Sequence, residues 1–402
     1  MATTIDSGAT TAPASADATL AAVRDLAPEI TARAPEIEQA RRLPADLLDQ
    51  LIGAGCFRLV LPASHGGAGA SLTETMQVLE TLSRADASVG WTVMIGAGSW
   101  CDLAGLPREM FDALFGGDDV ITAGAFAPTG TATPVDGGYR ISGRWAFVSG
   151  CEHATWVFGN SIELPGPGGS AGLDGSGDTP PRMRVAVFSP DEIEIEDTWD
   201  VSGLRGTGSH HVRADDVFVP AARTLAMMED PPCIDEPLLR IPLPTLYSLP
   251  VASVALGIAR GAIDDILDLA AHKVPLLDQA ALAASVPFQV DLAVADTRLR
   301  AAAALVYDVA DELWATAVEA SPVSPEQRAR ARAAAVWGTS QAVEAVTTAY
   351  RAGGGSSIYA DCPLQRRLRD VHAVTQHFAV KPDTLTTAGA VLAGQDVTVP
   401  VF

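Results

Sequence analysis

The sequence is poor in positive charge, paired cysteine and long apolar runs. Its 402 residues hold 27 Lys and Arg against 49 Asp and Glu, a formal net charge of −22. Binding a phosphate backbone needs a basic surface, so nucleic acid is not an expected partner. The same balance argues against an anionic membrane surface. No uninterrupted apolar stretch reaches ~18 residues, so no transmembrane span is expected. The N-terminus lacks both the basic start and the apolar run of a secretory signal, and its first 17 residues, small and polar, are expected to fray. The cysteines, Cys56, Cys101, Cys151, Cys233 and Cys362, are odd in number and widely spaced, with no CxxC. That pattern suits reduced thiols in a cytoplasmic protein, not a disulfide framework or a zinc site.

Familiar chemical motifs are missing too. No GxxxxGK[ST] is present, which argues against a P-loop enzyme. No GxGxxG follows a strand pattern, so a built-in nicotinamide site is not expected. Neither HExxH nor GxSxG occurs. His372 and His377 stand five apart, about 140° from eclipsed on a regular helix, so they would not face one metal. No metal site is expected.

What is present is a foldable globular composition, 48% hydrophobic and 19% charged. The length suits two or three domains and a large buried pocket. Three zones follow one another. Residues 18–118 read as helical, with Leu20, Val23, Leu26 and Ile30 at helical spacing, then Leu47, Leu48, Leu51 and Ile52. Residues 119–225 lose alanine and gain alternating β-branched and aromatic residues, as in the run from Tyr139 to Ser149. A small antiparallel sheet or barrel is expected there, with residues 165–181, rich in Gly, Pro and Ser, as a surface loop. Residues 235–402 return to helix over 250–272, 285–320 and 325–352, the last ended by Gly353, Gly354 and Gly355. The fold class is therefore α+β, in the order helical, sheet, helical.

Two segments suit a bound flavin. A flavin ring needs a flat apolar wall, backbone groups at its pyrimidine edge and a hydroxyl near N5. Phe126, Phe147 and Ser149 offer those residue types, with Pro128, Thr129, Gly130 and Thr131 alongside. An ordinary sheet with aromatic core residues gives the same pattern. The second segment, Leu204 to Val212, has a Gly-rich turn with Arg205 and Ser209 that could cradle a phosphate. A plain hairpin turn accounts for it equally. The adjacent His210 and His211 read as solvated turn residues.

The ordered series Leu61-Pro62 with Gly66-Gly67, residues 126–132, residues 143–150, residues 204–212 with Asp216 to Pro220, and Pro363 to His372 resembles the acyl-CoA dehydrogenase fold. The likeness spans roughly residues 20–395. It implies an N-terminal helical domain, a middle antiparallel β-domain, a C-terminal four-helix bundle, and a homotetramer whose flavin sites are shared between subunits. Gly354 and Gly355 match the glycines that approach a neighbouring subunit's flavin.

Within that fold the chain resembles the two-component flavin-dependent monooxygenases more than the dehydrogenases. The dehydrogenases use a carboxylate base, which by resemblance falls at Phe378 or near Tyr247. Phe has no basic group and Tyr has a pKa of ~10. The resemblance implies oxygenation of a small organic substrate through a C4a-hydroperoxyflavin. Ser149 would accept a hydrogen bond from flavin N5–H. His377, and after it His372, would serve as the catalytic imidazole, suited by a pKa near neutrality. Trp91, Met94, Trp100 and Tyr247 are candidate pocket residues. Lacking a nicotinamide site, the chain would need a separate NAD(P)H-dependent flavin reductase.

Two departures stand out. Phenol hydroxylases of this type often carry a His just before a Trp in the N-terminal domain, where this chain reads Gly98-Ser99-Trp100. Residues 280–288 contain no Arg to hold the FAD pyrophosphate, which favours reduced FMN over reduced FAD. A dehydrogenase-like flavin oxidase or desaturase with another base, and a flavin-free scaffold, are the other classes that fit.

Overall fold

The computed structural model describes residues 15–117, 120–165, 182–395 and 397. Most of the expected Gly/Pro/Ser-rich loop, residues 166–181, lies outside the described residues. The first helix, α1 (Ala16–Ala40), starts earlier than expected, because the Ser15 hydroxyl accepts the Ala18 N–H at 3.2 Å and caps it. It is followed by α2 (Ala45–Gly53), α3 (Leu72–Ala85), α4 (Ala87–Gly98), α5 (Trp100–Leu103) and α6 (Arg108–Phe115). Ser71 and Glu74 cap the start of α3 reciprocally. The Asp86 carboxylate accepts the N–H groups of Ser88 and Val89 and opens α4 immediately afterwards.

The middle zone is a sheet of seven strands: β1 (Thr122–Val135), β2 (Gly138–Trp145), β3 (Trp156–Glu163), β4 (Met183–Phe188), β5 (Glu194–Glu196), β6 (His211–Pro220) and β7 (Thr224–Ala226). Their order is β5-β6-β2-β1-β3-β4-β7. The pairing is not wholly antiparallel as expected: β1 and β3 run parallel. A tight turn at Gly137 joins β1 to β2, whereas the chain from Trp145 to Trp156 loops back before β3 begins. The β1–β3 register shifts between Ala125 and Gly130, which places Phe126 in the irregular part of the strand.

The sheet core is organised around Trp145. A Cβ on Gly130, Gly143 or Gly159 would come within 2.7, 2.6 or 2.4 Å of its ring, so three strands make room for one indole. Its N–H donates to the Asn160 carbonyl at 2.6 Å, and the Asn160 amide donates to the Phe126 carbonyl at 2.9 Å.

The C-terminal zone holds α7 (Leu243–His272), α8 (Val286–Val318), α9 (Pro325–Gly353), α10 (Pro363–Val374) and α11 (Thr384–Leu392). α7 is long and apolar enough to cross a membrane, yet 89% of its most apolar stretch is buried inside the fold, against α3, α9 and α10. α7 to α10 form the expected bundle, and α11 rests on α9.

Candidate active site

The expected strand through Ser149 ends at Trp145. Phe147 turns left-handed, with φ +64°, a costly conformation for an aromatic residue. Its ring is 71% exposed, edge-on to Trp199 and His211. Phe147 and Ser149 therefore sit on a loop and not on a strand beside Phe126. That loop turns Ser149 inward, where it is 6% exposed.

A continuous line of contacts links the sheet to both helical zones. Phe126 of β1 stacks on Phe378, with centroids 5.7 Å apart and planes 20° from parallel. Phe378 packs against His377, and His377 meets Trp91 of α4 edge to face at 5.3 Å. The Trp91 indole N–H donates to Ser149 Oγ at 3.1 Å. Ser149 Oγ lies 2.7 Å from Ser209 Oγ, which lies 2.7 Å from Thr207 Oγ1, and the Thr207 hydroxyl donates to the Leu204 carbonyl at 2.8 Å. The result is a run of aromatic contacts from β1 to Trp91, whose N–H meets a buried row of hydroxyls.

His377 is half-buried, and burial lowers its pKa to about 4. The near-neutral value expected from the sequence is thus corrected, because burial strips the charged ring of water. Its Nδ1 accepts the Ala379 N–H at 3.4 Å, which assigns the proton to Nε2. A neutral imidazole offering Nε2–H can donate a hydrogen bond but carries no acidic proton at pH 7.

The other expected site residues divide. Met94 is buried on the face of α4 that carries Trp91, about one turn on. Pro128 is half-buried, while Thr129 and Thr131 are exposed and donate to the carbonyls of Arg144 and Ser142. Gly130 is occupied in making room for Trp145. Arg205 is held by the Val201 carbonyl at 2.6 Å and by Asp200 at 3.3 Å. His372 is exposed on α10 and is not brought into the cluster. Gly354 and Gly355 are exposed beyond the end of α9, also outside it. Trp100 is 2% exposed and packs on Phe111, as a core residue. His210 is not solvated: it is buried, and its Nδ1 accepts the N–H groups of Thr198 and Trp199.

Tyr247 lies against Gly98, at the other end of α4 from Trp91. Its hydroxyl donates to Asp102 Oδ2 at 2.6 Å. Burial raises the Asp102 carboxyl to about 7, and its Oδ1 is a buried acceptor with no partner. Sequence reasoning missed Asp102, whose signal was only a lone acid in an apolar helical run. It also missed Thr207, read as part of a generic turn. Among the described residues no three His, Cys, Asp or Glu side chains converge as a metal set.

These residues fit a flavin. The ring stack of Phe126 and Phe378 offers a flat apolar surface, and Ser149, joined to it through Trp91 and His377, offers a hydroxyl. Phe378, expected by resemblance at one place of the dehydrogenases' carboxylate, is one of the two stacked rings.

Family models match two stretches of the chain: the acyl-CoA dehydrogenase N-terminal domain over residues 14–104 and the C-terminal domain over residues 249–382. The chain is 32% identical to indole-3-acetate monooxygenase of Pseudomonas putida over 96% of both chains. It is 33% identical to the oxygenase subunit HsaA, a flavin-dependent monooxygenase of Rhodococcus jostii, over 89% of this chain and 93% of that one. Among solved structures, 3-HSA hydroxylase from Rhodococcus sp. RHA1 superposes with a TM-score of 0.85 at 27% identity, over 96% of this chain and 99% of that one. XiaF from Streptomyces sp., solved with FADH2 and glycerol, gives 0.86 at 25% identity, over 96% and 98%. The chain belongs to the acyl-CoA dehydrogenase fold family, in its flavin-dependent monooxygenase branch.

Proposed function

We propose that the protein is the oxygenase component of a two-component monooxygenase that oxygenates a small organic substrate with reduced flavin and O2. A reduced flavin held here would supply two electrons to O2, so that one oxygen atom enters the substrate and the other leaves as water. The observation that carries this reading is the chain of contacts that joins Ser149, through Trp91 and His377, to the stacked rings of Phe126 and Phe378. Ser149 Oγ would accept a hydrogen bond from flavin N5–H and so hold that proton in place. Trp91, itself buried, keeps water from the Ser149 side of the site. His377 presents Nε2–H as a neutral donor to the oxygen or the substrate. Arg205 would serve the phosphate end of the flavin by its side chain, since the N–H groups of Leu204 and Gly206 in the same turn are taken up by Asp370 and Ser88.

The reduced flavin comes from a separate NAD(P)H-dependent reductase, since the sequence has no dinucleotide fingerprint of its own. One relative, a resorcinol hydroxylase at 31% identity, is FADH(2)-dependent by name, so FAD stands beside FMN as the cofactor. The exposed stripe Val286, Val290 and Val294 on α8, at four-residue spacing, supports assembly with further copies, as in a homotetramer. Gly354 and Gly355 would then face a neighbour's flavin.

Mixing the protein with reduced FMN or FAD and O2 in a stopped-flow spectrometer tests this reading. A long-lived absorbance band with one of the flavins is expected. Immediate return of the oxidised spectrum with both would overturn it.

A second reading has one observation in its favour. Asp102, with a carboxyl near 7 and bonded to Tyr247, is the kind of base a flavin oxidase or desaturase needs. Anaerobic bleaching of the bound oxidised flavin by acyl-CoA thioesters, lost in Asp102→Asn, is the result that would favour it.

A further inference from the structure

We propose that Thr207 and Ser209 are positioning residues that lock Ser149 as a hydrogen-bond acceptor only, so that the site discriminates reduced from oxidised flavin. The inference rests on the flavin reading above and adds the residues that set its redox preference.

The direction of each hydrogen bond follows from the two ends of the row. An indole N–H can only donate, so Trp91 gives its proton to Ser149 Oγ. A carbonyl can only accept, so Thr207 gives its single hydroxyl proton to the Leu204 oxygen. With that proton committed, Thr207 must accept from Ser209. Ser209 in turn must accept from Ser149. Ser149 therefore has no proton left to offer and keeps one free lone pair. Ser149, Ser209 and Thr207 are all buried, so water does not rearrange the row.

The backbone that carries the row is pinned on several sides. Leu204 N–H donates to the buried Asp370 carboxylate of α10 at 2.7 Å. Gly206 N–H donates to Ser88 Oγ of α4 at 3.1 Å, and a Cβ on Gly206 would strike Ile37 of α1 at 2.3 Å. A Cβ on Gly203 would strike the Arg369 carbonyl at 2.3 Å. Fixed donors and acceptors of this kind act without reorganising when a ligand arrives.

Reduced flavin carries a proton on N5, whereas oxidised flavin presents a bare lone pair there. An acceptor-only Ser149 completes the first and faces the second lone pair to lone pair. An unmet buried acceptor weakens binding about tenfold.

The test measures anaerobic dissociation constants for oxidised and reduced flavin, using FMN and FAD in turn, with wild type, Ser209→Ala, Thr207→Val, Thr207→Ser and Ser149→Ala. Ser209→Ala frees the Ser149 proton to donate to oxidised N5. It should tighten oxidised flavin about tenfold and leave reduced flavin within about threefold. Thr207→Val should move the ratio the same way, because Ser209 can then turn its proton toward Ser149. Thr207→Ser, which keeps the hydroxyl, should retain the wild-type ratio. An unchanged ratio in both Ser209→Ala and Thr207→Val, with wild type binding flavin and Ser149→Ala weakening it, overturns the locking role alone. Ser149→Ala without effect on either form, or a wild type that binds neither, overturns the flavin placement and this inference with it.

Discussion

Trp91 stands edge-on to His377 at 5.3 Å while its indole N–H donates to Ser149 at 3.1 Å, so one side chain borders the imidazole and orients the hydroxyl. α4 supplies that link between the C-terminal helices and the loop after β2. The two candidate catalytic groups are therefore not independent. Replacing Trp91 by Phe keeps the aromatic contact and deletes the donor. Loss of about 1 kcal/mol in urea unfolding is expected. A larger effect is expected in the oxygenation reaction, with more peroxide released per flavin oxidised. Unchanged coupling between substrate oxygenation and flavin oxidation would count against the Ser149 assignment.

Acid stability should report the buried imidazoles. His153 and His377 are both depressed from 6.5 to about 4 by burial, and for His153 the Arg42 charge adds to it. A depressed His contributes stability that is fully present above pH 6.5 and is lost as pH falls toward about 4. Unfolding free energy should thus decline across that window. Replacing His377 with Gln, which cannot titrate, should flatten part of the slope in pH-dependent urea titrations. An identical slope would show that the His377 imidazole is not depressed in the folded protein.

The Asp102–Tyr247 pair has the opposite sign. Burial raises the Asp102 carboxyl from 3.8 to about 7, and the Tyr247 hydrogen bond partly restrains the rise. Stability from this group is fully present below pH 3.8 and lost as pH climbs through about 7. Tyr247→Phe removes the restraint. It should cost about 1–3 kcal/mol, more at pH 8 than at pH 5, by chemical denaturation. A loss equal at both values would mean that Asp102 does not ionise in the folded protein.

The apolar stripe of α8 leads to a prediction about assembly. Val286, Val290 and Val294 are exposed on one helix face. Light scattering at micromolar concentration should give a mass well above that of one chain. Val290→Glu, placing a charge in the stripe, should shift the mass toward the monomer. A wild-type monomer contradicts the assembly reading.

Much of the architecture was legible because it depends on periodicity. The helical runs near 250–272, 285–320 and 325–352 end within a few residues of α7, α8 and α9, apart from the start of α7, which extends back to Leu243 past Pro244 and Pro250. A proline pair there reads as a break, yet Pro244 sits in the first turn, where no N–H is needed. The site was less legible because it forms from tertiary contacts. Nothing local to Ser149 announces that Trp91, 58 residues away, supplies its donor. Phe147 reads as the next residue of a strand, and only the left-handed turn takes it out of the sheet. The depressed His377 depends on Trp91 and Phe378 crowding it, which no spacing rule contains.

The setting of Trp145 bears on how this chain can vary. Its ring fills the gap between strands at Gly130, Gly143 and Gly159, and Asn160 relays its position to the Phe126 carbonyl. Through Asn160, Trp145 bears on where Phe126 sits without being one of the rings of the aromatic run. A methyl at any one of the three glycines would have to be answered by a smaller ring, and a smaller ring would release Phe126. Changes in substrate preference can therefore accumulate on the lining residues, while these four positions are tied to change together or not at all.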